Sequence, residues 1–421
     1  MRFFSSSRGA ANQPRGPALL NSPSPPKERE NHMLQVWWKK WAEALKAILP
    51  IYIAQHLAVF IITILLILFQ VNDFDASNAR IKTLWEMWHH WDTGHYIHIA
   101  TYGYTESWRT AFFPLYPLLI KGLSPLVTSP LIAGLLISNI AGLIMCTVLY
   151  QLVREDFEHE MARRTVLFLS LFPTAFFFLA AYNESLFLCL VLLCFYHIRR
   201  GHWWLAGLFG MGASLTRSAG VFLLLPFCYE YLRQHEFRWT TLRPQLTNAI
   251  SMALIPLGVG IFAFYCYARF DDALAFSHAQ SHWGRYFTVP WWGAMKSFFA
   301  IKHSSGLLSF QALHNLLDLV PTLLILTLIL LGLFGPWRFP RSYLSYSLYA
   351  ITLFLFLQSV PINWIAFPLQ SQGRYMLEIF PAFIVLARLG EYEPLQLTYR
   401  MVSGATLFVL LTLFLLGHWV V

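Results

Sequence analysis

Charged residues are scarce in this chain. Asp, Glu, Lys and Arg together make up 12% of its 421 residues, about half the share of a typical soluble domain. With 57% hydrophobic residues and a mean hydropathy of +0.51, too few polar side chains exist to cover a water-exposed surface. A soluble fold is excluded, and runs of roughly 20 apolar residues point to a polytopic helical membrane protein. Any CxxC pair is also missing. Cys146, Cys189, Cys194, Cys228 and Cys266 all fall inside apolar segments, which argues against disulfides and against a cysteine metal site. A secretory leader is not expected, because the first apolar run, about 48–71, is too long for a signal h-region. No internal repeat of the transporter kind is evident. The net charge of +9 follows membrane sidedness, as shown next, so no nucleic-acid partner is expected.

What is present reads as an all-α polytopic membrane protein. Residues 1–34 are Pro/Ser-rich and are expected to be a disordered cytoplasmic tail. A short basic amphipathic helix is expected over Leu34 to Lys46. Residues 35–421 are expected to form a single transmembrane domain of about 11 helices, near 48–71, 128–152, 164–181, 184–198, 203–216, 219–232, 247–268, 314–334, 343–359, 375–389 and 400–419. With the N-terminus inside, 20 of the 30 Lys and Arg residues fall on the inner side, although the main outer loops, near 72–127 and 269–313, are the longest between helices. That is the expected cytoplasmic bias. The outer loops then face a compartment without nucleotides. An enzyme working there needs a substrate that arrives activated, and a lipid-carried one is the natural candidate.

The first outer loop holds the densest functional signal, the stretch from Trp91 to Pro117. Within it and just before it, Thr83 to Ala100 has helical spacing. Trp85, Trp88, His89, Asp92, His95, Tyr96 and Ile99 fall on one face, which suits an amphipathic helix in the headgroup layer. Phe112 to Leu119 reads as a second surface segment, with Pro114 and Pro117 limiting regular helix. The second outer loop carries Asp271, Asp272, His278, His282, Trp283, Arg285, Trp291 and Trp292, and is expected to lie over a cavity.

Four blocks resemble the GPI mannosyltransferase 2 (PIG-V) family of the GT-C class of membrane glycosyltransferases. They are Trp91-Asp92 with Tyr96 and Gly103-Tyr104; Phe112-Phe113-Pro114-Leu115-Tyr116-Pro117; Phe172-Pro173-Thr174-Ala175 with Ala181 to Phe187; and Trp203 to Gly207 leading to Thr216-Arg217-Ser218-Ala219-Gly220. A fainter match is Gly373-Arg374-Tyr375 before Phe380-Pro381. The similarity is continuous from about 85 to 230 and weak afterwards. The chain looks like a compact bacterial-type member, so a plasma-membrane location is expected, or the ER membrane if the source is eukaryotic. The resemblance implies a GT-C-like fold, a polyprenyl-phosphate-linked sugar donor (usually mannose), inversion at the anomeric carbon, and Asp92 as catalytic base. The acceptor stays open among a glycan, a glycolipid and a protein, and membrane lipids surround the whole.

The residues themselves agree with that chemistry. An acceptor hydroxyl that attacks the anomeric carbon must lose a proton, and a positioned carboxylate such as Asp92 can take it. The leaving lipid phosphate needs a cation. Arg217 and Arg374 lie at outer helix ends, where a guanidinium fork can grip phosphate; pairing of Arg374 with Gln370 or Gln372 is the structural alternative. Trp91, His95, Tyr96, Tyr116, Tyr182, Asn183 and Glu184 are expected to line the substrate site, and the alternative for Glu184 is a charge at a helix start. His89, His90, His95 and His98 could suggest a metal, but zinc needs three or four ligands with supporting partners. No metal site is expected, a divalent ion is not indicated, and no cofactor is assigned. Asp271-Asp272 is a candidate second acidic element. Asn183-Glu184-Ser185 is formally a glycosylation sequon, expected to be unused against a membrane helix. A transporter or flippase of lipid-linked sugars is the competing reading. A non-catalytic scaffold would leave Asp92 and Arg217 unexplained.

Overall fold

The computed structural model describes residues 26–70 and 81–420. The chain divides into two units, residues 1–43 and 44–421. Part of the expected tail is helical, since one helix runs Pro26–Gln70; a proline at a helix start loses no hydrogen bond, because that N–H has no partner anyway. Residues 1–25 lie outside the described residues. The short lead-in helix expected over 34–46 is part of this same long helix.

Among the described residues, five helices are long and apolar enough to cross a membrane: Trp37–Phe69, Pro130–Asp156, Leu246–Phe270, Phe310–Leu333 and Glu393–Leu415. Shorter apolar helices pack among them, and the protein is a multi-pass membrane protein. Among the described residues there is no strand, only an isolated antiparallel bridge between Arg285 and Ile362. The expected spans 184–198 and 203–216 match the helices Glu184–Ile198 and Trp203–Thr216. At 15 and 14 residues and about 1.5 Å of rise per residue, each is only ~22 Å long. That is shorter than the roughly 30 Å hydrocarbon layer, so their facing ends stop within the protein. Glu184 opens one helix and Arg217 caps the other.

The expected span 247–268 carries a 3-10 stretch, Ile250–Ala253, near its start, and three other expected spans are broken by turns. The segment 164–181 is helical only to Ser170, then turns and continues as a short 3-10 stretch, Ala175–Phe178. Pro173 has no N–H to donate and disfavours helical backbone at the residue before it. The segment 219–232 begins as a 3-10 turn, Ser218–Leu223, and becomes α-helical only over Leu224–Gln234. Gly220 explains the turn: a Cβ there would lie 2.4 Å from the backbone nitrogen of Ser214, so only glycine allows so close an approach. The segment 375–389 starts with two short turns, Gln372–Tyr375 and Met376–Glu378, before the helix Phe380–Leu389. Apolar composition hides all three breaks.

The loop helix expected over 83–100 is also divided, into Ile81–Glu86 and Asp92–Tyr102. Between them Trp91 adopts φ 53°, a left-handed conformation that is costly for a bulky residue. That turn reorients the chain and makes Asp92 the first residue of the second helix. Pro114 and Pro117 initiate structure here rather than limiting it, because the helix Leu115–Val127 starts on them and a first turn needs no N–H from either. Tyr96, Ile99, Phe112, Phe113 and Tyr116 form one buried cluster with Phe262 and Ala275. Each such side chain contributes about 1.5–3 kcal/mol on full burial. This cluster fixes the helix bearing Asp92 against the body and against the second outer loop.

Candidate active site

Asp92 Oδ2 accepts a 2.7 Å hydrogen bond from Arg374 Nη1. Arg374 Nε lies 3.3 Å from Glu184 Oε1, and the same oxygen lies 3.4 Å from Arg217 Nη1. Arg217 Nη1 also donates to Glu378 Oε1. A continuous ionic chain results: Asp92, Arg374, Glu184, Arg217, Glu378. The structure thus brings Asp92, Glu184, Arg217 and Arg374 together from four separate stretches of sequence.

Each member is held by local structure. Thr93, buried beside Asp92, donates to the carbonyls of Trp88 and Ala181. Asn183 Nδ2 donates to Thr216 O at 2.9 Å, which ties the start of the Glu184 helix to the end of the helix that Arg217 caps. The turn bearing Arg374 begins at Ser371, with φ 71°. Its Gly373 N–H donates to Asp318 Oδ1 at 2.8 Å, and its carbonyl accepts from Thr174 Oγ1 at 3.0 Å. Gln372 is occupied by Gln358 and by the carbonyl of Leu357, so Arg374 pairs with acids and not with its glutamine neighbour.

The carboxylates differ in access. Asp92 is 22% exposed, against 1% for Glu184 and 1% for Glu378. Leaving either buried acid without its arginine would cost about 3–5 kcal/mol. Tyr375 adds a third arginine to the neighbourhood. Its ring lies under Arg217, Arg285 and Arg374, at 4.9, 5.3 and 5.0 Å. Its hydroxyl accepts from Arg374 Nη2 at 3.1 Å and from Arg285 Nη2 at 3.2 Å.

The expected substrate-lining residues separate into two groups. Tyr116 is fully buried and hydrogen-bonded to Gly134 O and Ser138 Oγ, and Tyr96 packs edge-on against it. Tyr182 is buried, donates to His90 O and lies under Arg374 at 5.4 Å. Asn183 is buried as the tie to Thr216. These four build walls. Trp91, 42% exposed, and His95, partly buried, remain reachable. His95 stacks on Phe112 and meets Trp108 and Trp283 edge-on. Its Nδ1 accepts from Arg109 Nη1 at 3.2 Å, and burial holds its pKa below the usual value. The other histidines go separate ways: His98 to Thr105, and His90 edge-on to Phe414. Among the described residues no group of three His, Cys, Asp or Glu could hold a metal.

Asp271 and Asp272 do not join the ionic chain. Asp271, with φ 55°, ends the helix Leu254–Phe270. Asp272 caps Leu274 N–H and binds His278 Nδ1 at 2.8 Å, and that histidine bond holds its carboxyl below the usual range. Glu378, Tyr375, Arg285 and Asp318 were not singled out by sequence reasoning as site residues. Glu378 and Asp318 had a usable signal, each being a lone acid in an apolar run.

Comparison with known proteins supplies a context for this geometry. The profile of the family described as "Mannosyltransferase (PIG-V)" matches residues 65–285, just over half of the chain. GPI mannosyltransferase 2 of Drosophila pseudoobscura pseudoobscura is 30% identical over 199 residues, covering 42% of this chain and 43% of that protein. The Schizosaccharomyces pombe protein of the same name is 31% identical over 183 residues, covering 42% and 39%. Human GPI alpha-1,6-mannosyltransferase 2 is 26% identical over 204 residues, covering 43% and 40%. The matched region therefore spans about 40% of these relatives' length. Among solved structures, ArnT from Cupriavidus metallidurans bound to undecaprenyl phosphate is similar at 16% identity and TM-score 0.45, over 70% of this chain and 53% of that one.

Proposed function

The chain belongs to the mannosyltransferase (PIG-V) family, and we propose that it is an integral membrane glycosyltransferase. It moves a sugar, mannose by family, from a polyprenyl-phosphate carrier to an acceptor hydroxyl with inversion at the anomeric carbon. The acceptor is a glycan, a glycolipid or a protein. The inner-side excess of Lys and Arg expected from the sequence supports a reaction on the non-cytoplasmic face, and the compact chain suits a bacterial plasma membrane.

The observation that carries this reading is the difference in access along the ionic chain. Asp92, Glu184 and Glu378 are all paired with arginine, so charge does not choose between them. Access does, at 22% for Asp92 against 1% for each glutamate. Arg374 holds Asp92 Oδ2 and orients the carboxylate, and Oδ1 has no hydrogen-bond partner among the described residues. As the acceptor oxygen bonds to the anomeric carbon, its proton passes to Asp92. The bond from that carbon to the phosphate oxygen breaks, and its electron pair leaves with the lipid phosphate. The test is transfer from labelled polyprenyl-phosphate mannose by wild type and Asp92→Asn in lipid nanodiscs. Lost transfer with retained donor binding supports the assignment; normal transfer by the variant removes it.

A further inference from the structure

We infer that Arg285 and the hydroxyl of Tyr375, rather than Arg374, receive the donor phosphate. The inference rests on the glycosyltransferase reading above and names the group that meets the anion.

The argument begins with charge. Asp92, Glu184 and Glu378 are three acids, and Arg217 and Arg374 only two cations. An anionic donor meeting these five groups alone would find no surplus of positive charge. Both arginines already face acids: Arg374 meets Asp92 and Glu184 and donates to Tyr375, and Arg217 Nη1 meets Glu184 and Glu378. Arg285 differs. Its Nη1 donates to the backbone carbonyl of Val360 at 3.1 Å and its Nη2 to Tyr375 Oη at 3.2 Å, both neutral acceptors. It forms no ion pair among the described residues. Asp318 lies within electrostatic range of Arg285, but its carboxylate holds the Gly373 N–H.

Tyr375 extends the argument. Its oxygen accepts from both Arg285 and Arg374, so the phenolic hydrogen is directed away from them and can be donated. Tyr375 is also the one partly exposed residue of the turn Gln372–Tyr375; the other three are buried. Arg285 is itself only partly buried, and the bridge to Ile362 fixes its backbone. A cation without a carboxylate and a hydroxyl with a free hydrogen thus sit side by side at the accessible edge of the ionic chain. During transfer the phosphodiester, with one negative charge, becomes a monoester that gains another. The Arg285 charge offsets what develops there, while the acceptor proton goes to Asp92, across Arg374 from Tyr375.

Farnesyl phosphate and farnesol are the probes, applied to the full chain in nanodiscs, with binding read by native mass spectrometry. Wild type is expected to prefer the phosphate. Arg285→Gln should weaken farnesyl phosphate binding roughly 10- to 150-fold, the range for a lost charge-assisted bond, while farnesol binding stays unchanged. Arg285→Lys should recover only part, since the planar fork is absent. Tyr375→Phe should lose about 2- to 10-fold, as for a neutral hydrogen bond. Wild-type affinity in Arg285→Gln, with wild type still preferring the phosphate, overturns this inference and leaves the glycosyltransferase reading standing. If wild type itself does not distinguish farnesyl phosphate from farnesol, the donor reading fails as well. If Arg285→Gln does not fold, Arg285→Lys and Tyr375→Phe decide: wild-type affinity in both overturns the inference.

Discussion

Replacing Asp92 with asparagine separates its two jobs. Asparagine keeps the size of the side chain and an oxygen that can accept from Arg374 Nη1, but it cannot take a proton at neutral pH. If Asp92 is the base, transfer should fall by roughly 10²–10⁴-fold, the contribution of positioned proton transfer. Stability should change measurably too. A substitution in an ordinary surface loop usually costs less than about 0.5 kcal/mol, and sequence alone gives that value. The structure raises it, because Arg374 is only 9% exposed and Asp92 22%. Complete loss of a buried partner would cost about 3–5 kcal/mol, but Arg374 keeps Glu184 at 3.3 Å and a neutral bond to the amide. Exchanging a charged for a neutral acceptor leaves a deficit of about 1 kcal/mol. The assays are thermal unfolding in detergent and transfer from labelled polyprenyl-phosphate mannose. A folded Asp92→Asn variant that transfers at the wild-type rate would refute the base assignment and leave Asp92 as a partner for Arg374 alone.

Arg217→Ala should destabilise by about 3–5 kcal/mol, because Glu378 is left as an unpaired buried charge, and adding Glu378→Gln should restore much of the loss in a double-mutant unfolding cycle. His95 should make stability pH-dependent. Burial lowers its folded pKa below the ordinary 6.5, so the unfolded chain takes up the proton first. The stabilisation is present above about pH 6.5 and is lost as pH falls below it, and His95→Gln should flatten that part of a melting-temperature scan. For topology, cysteines introduced at Thr105 and Ser281 should label from outside the cell and one at Gln234 should not; outside labelling at Gln234 would reverse the orientation.

The legible and illegible parts of this chain divide along a physical line. The helices Glu184–Ile198 and Trp203–Thr216 could be read because each is an unbroken apolar run with a polar or charged residue at its end. The breaks at Pro173, at Gly220 and before Pro381 could not, because average hydropathy does not register a missing N–H or a close backbone approach. The split at Trp91 was invisible for a related reason: helical spacing persists across residues 83–100 although the helix breaks in the middle. Arg217 and Arg374 stood out as cations at helix ends. Asp92 and Glu184 stood out too, but their pairing with these arginines did not, since Arg374 meets Asp92 across 282 positions of sequence. Glu378 was lost inside a segment taken to be a span, and it proved to be the acid on which Arg217 depends.

The ionic chain also explains why such a site can exist in so apolar a body. A single carboxylate taken out of water costs several kcal/mol, and pairing offsets this only when every charge has a geometrically good partner. Alternating acid and arginine along five residues gives each inner charge two oppositely charged neighbours, although Arg374 Nε and Glu184 Oε2 make no hydrogen bond among the described residues. One end, Glu378, is sealed at 1% exposure. The other, Asp92, is the end that opens. The strained turn at Trp91 and the two short helices are what let the ends differ: the first delivers Asp92 from the loop, and the second bring Glu184 and Arg217 together inside. A carboxylate at the open end of such a chain can be reached from outside while the buried members stay paired. That is the property a general base in a membrane protein needs.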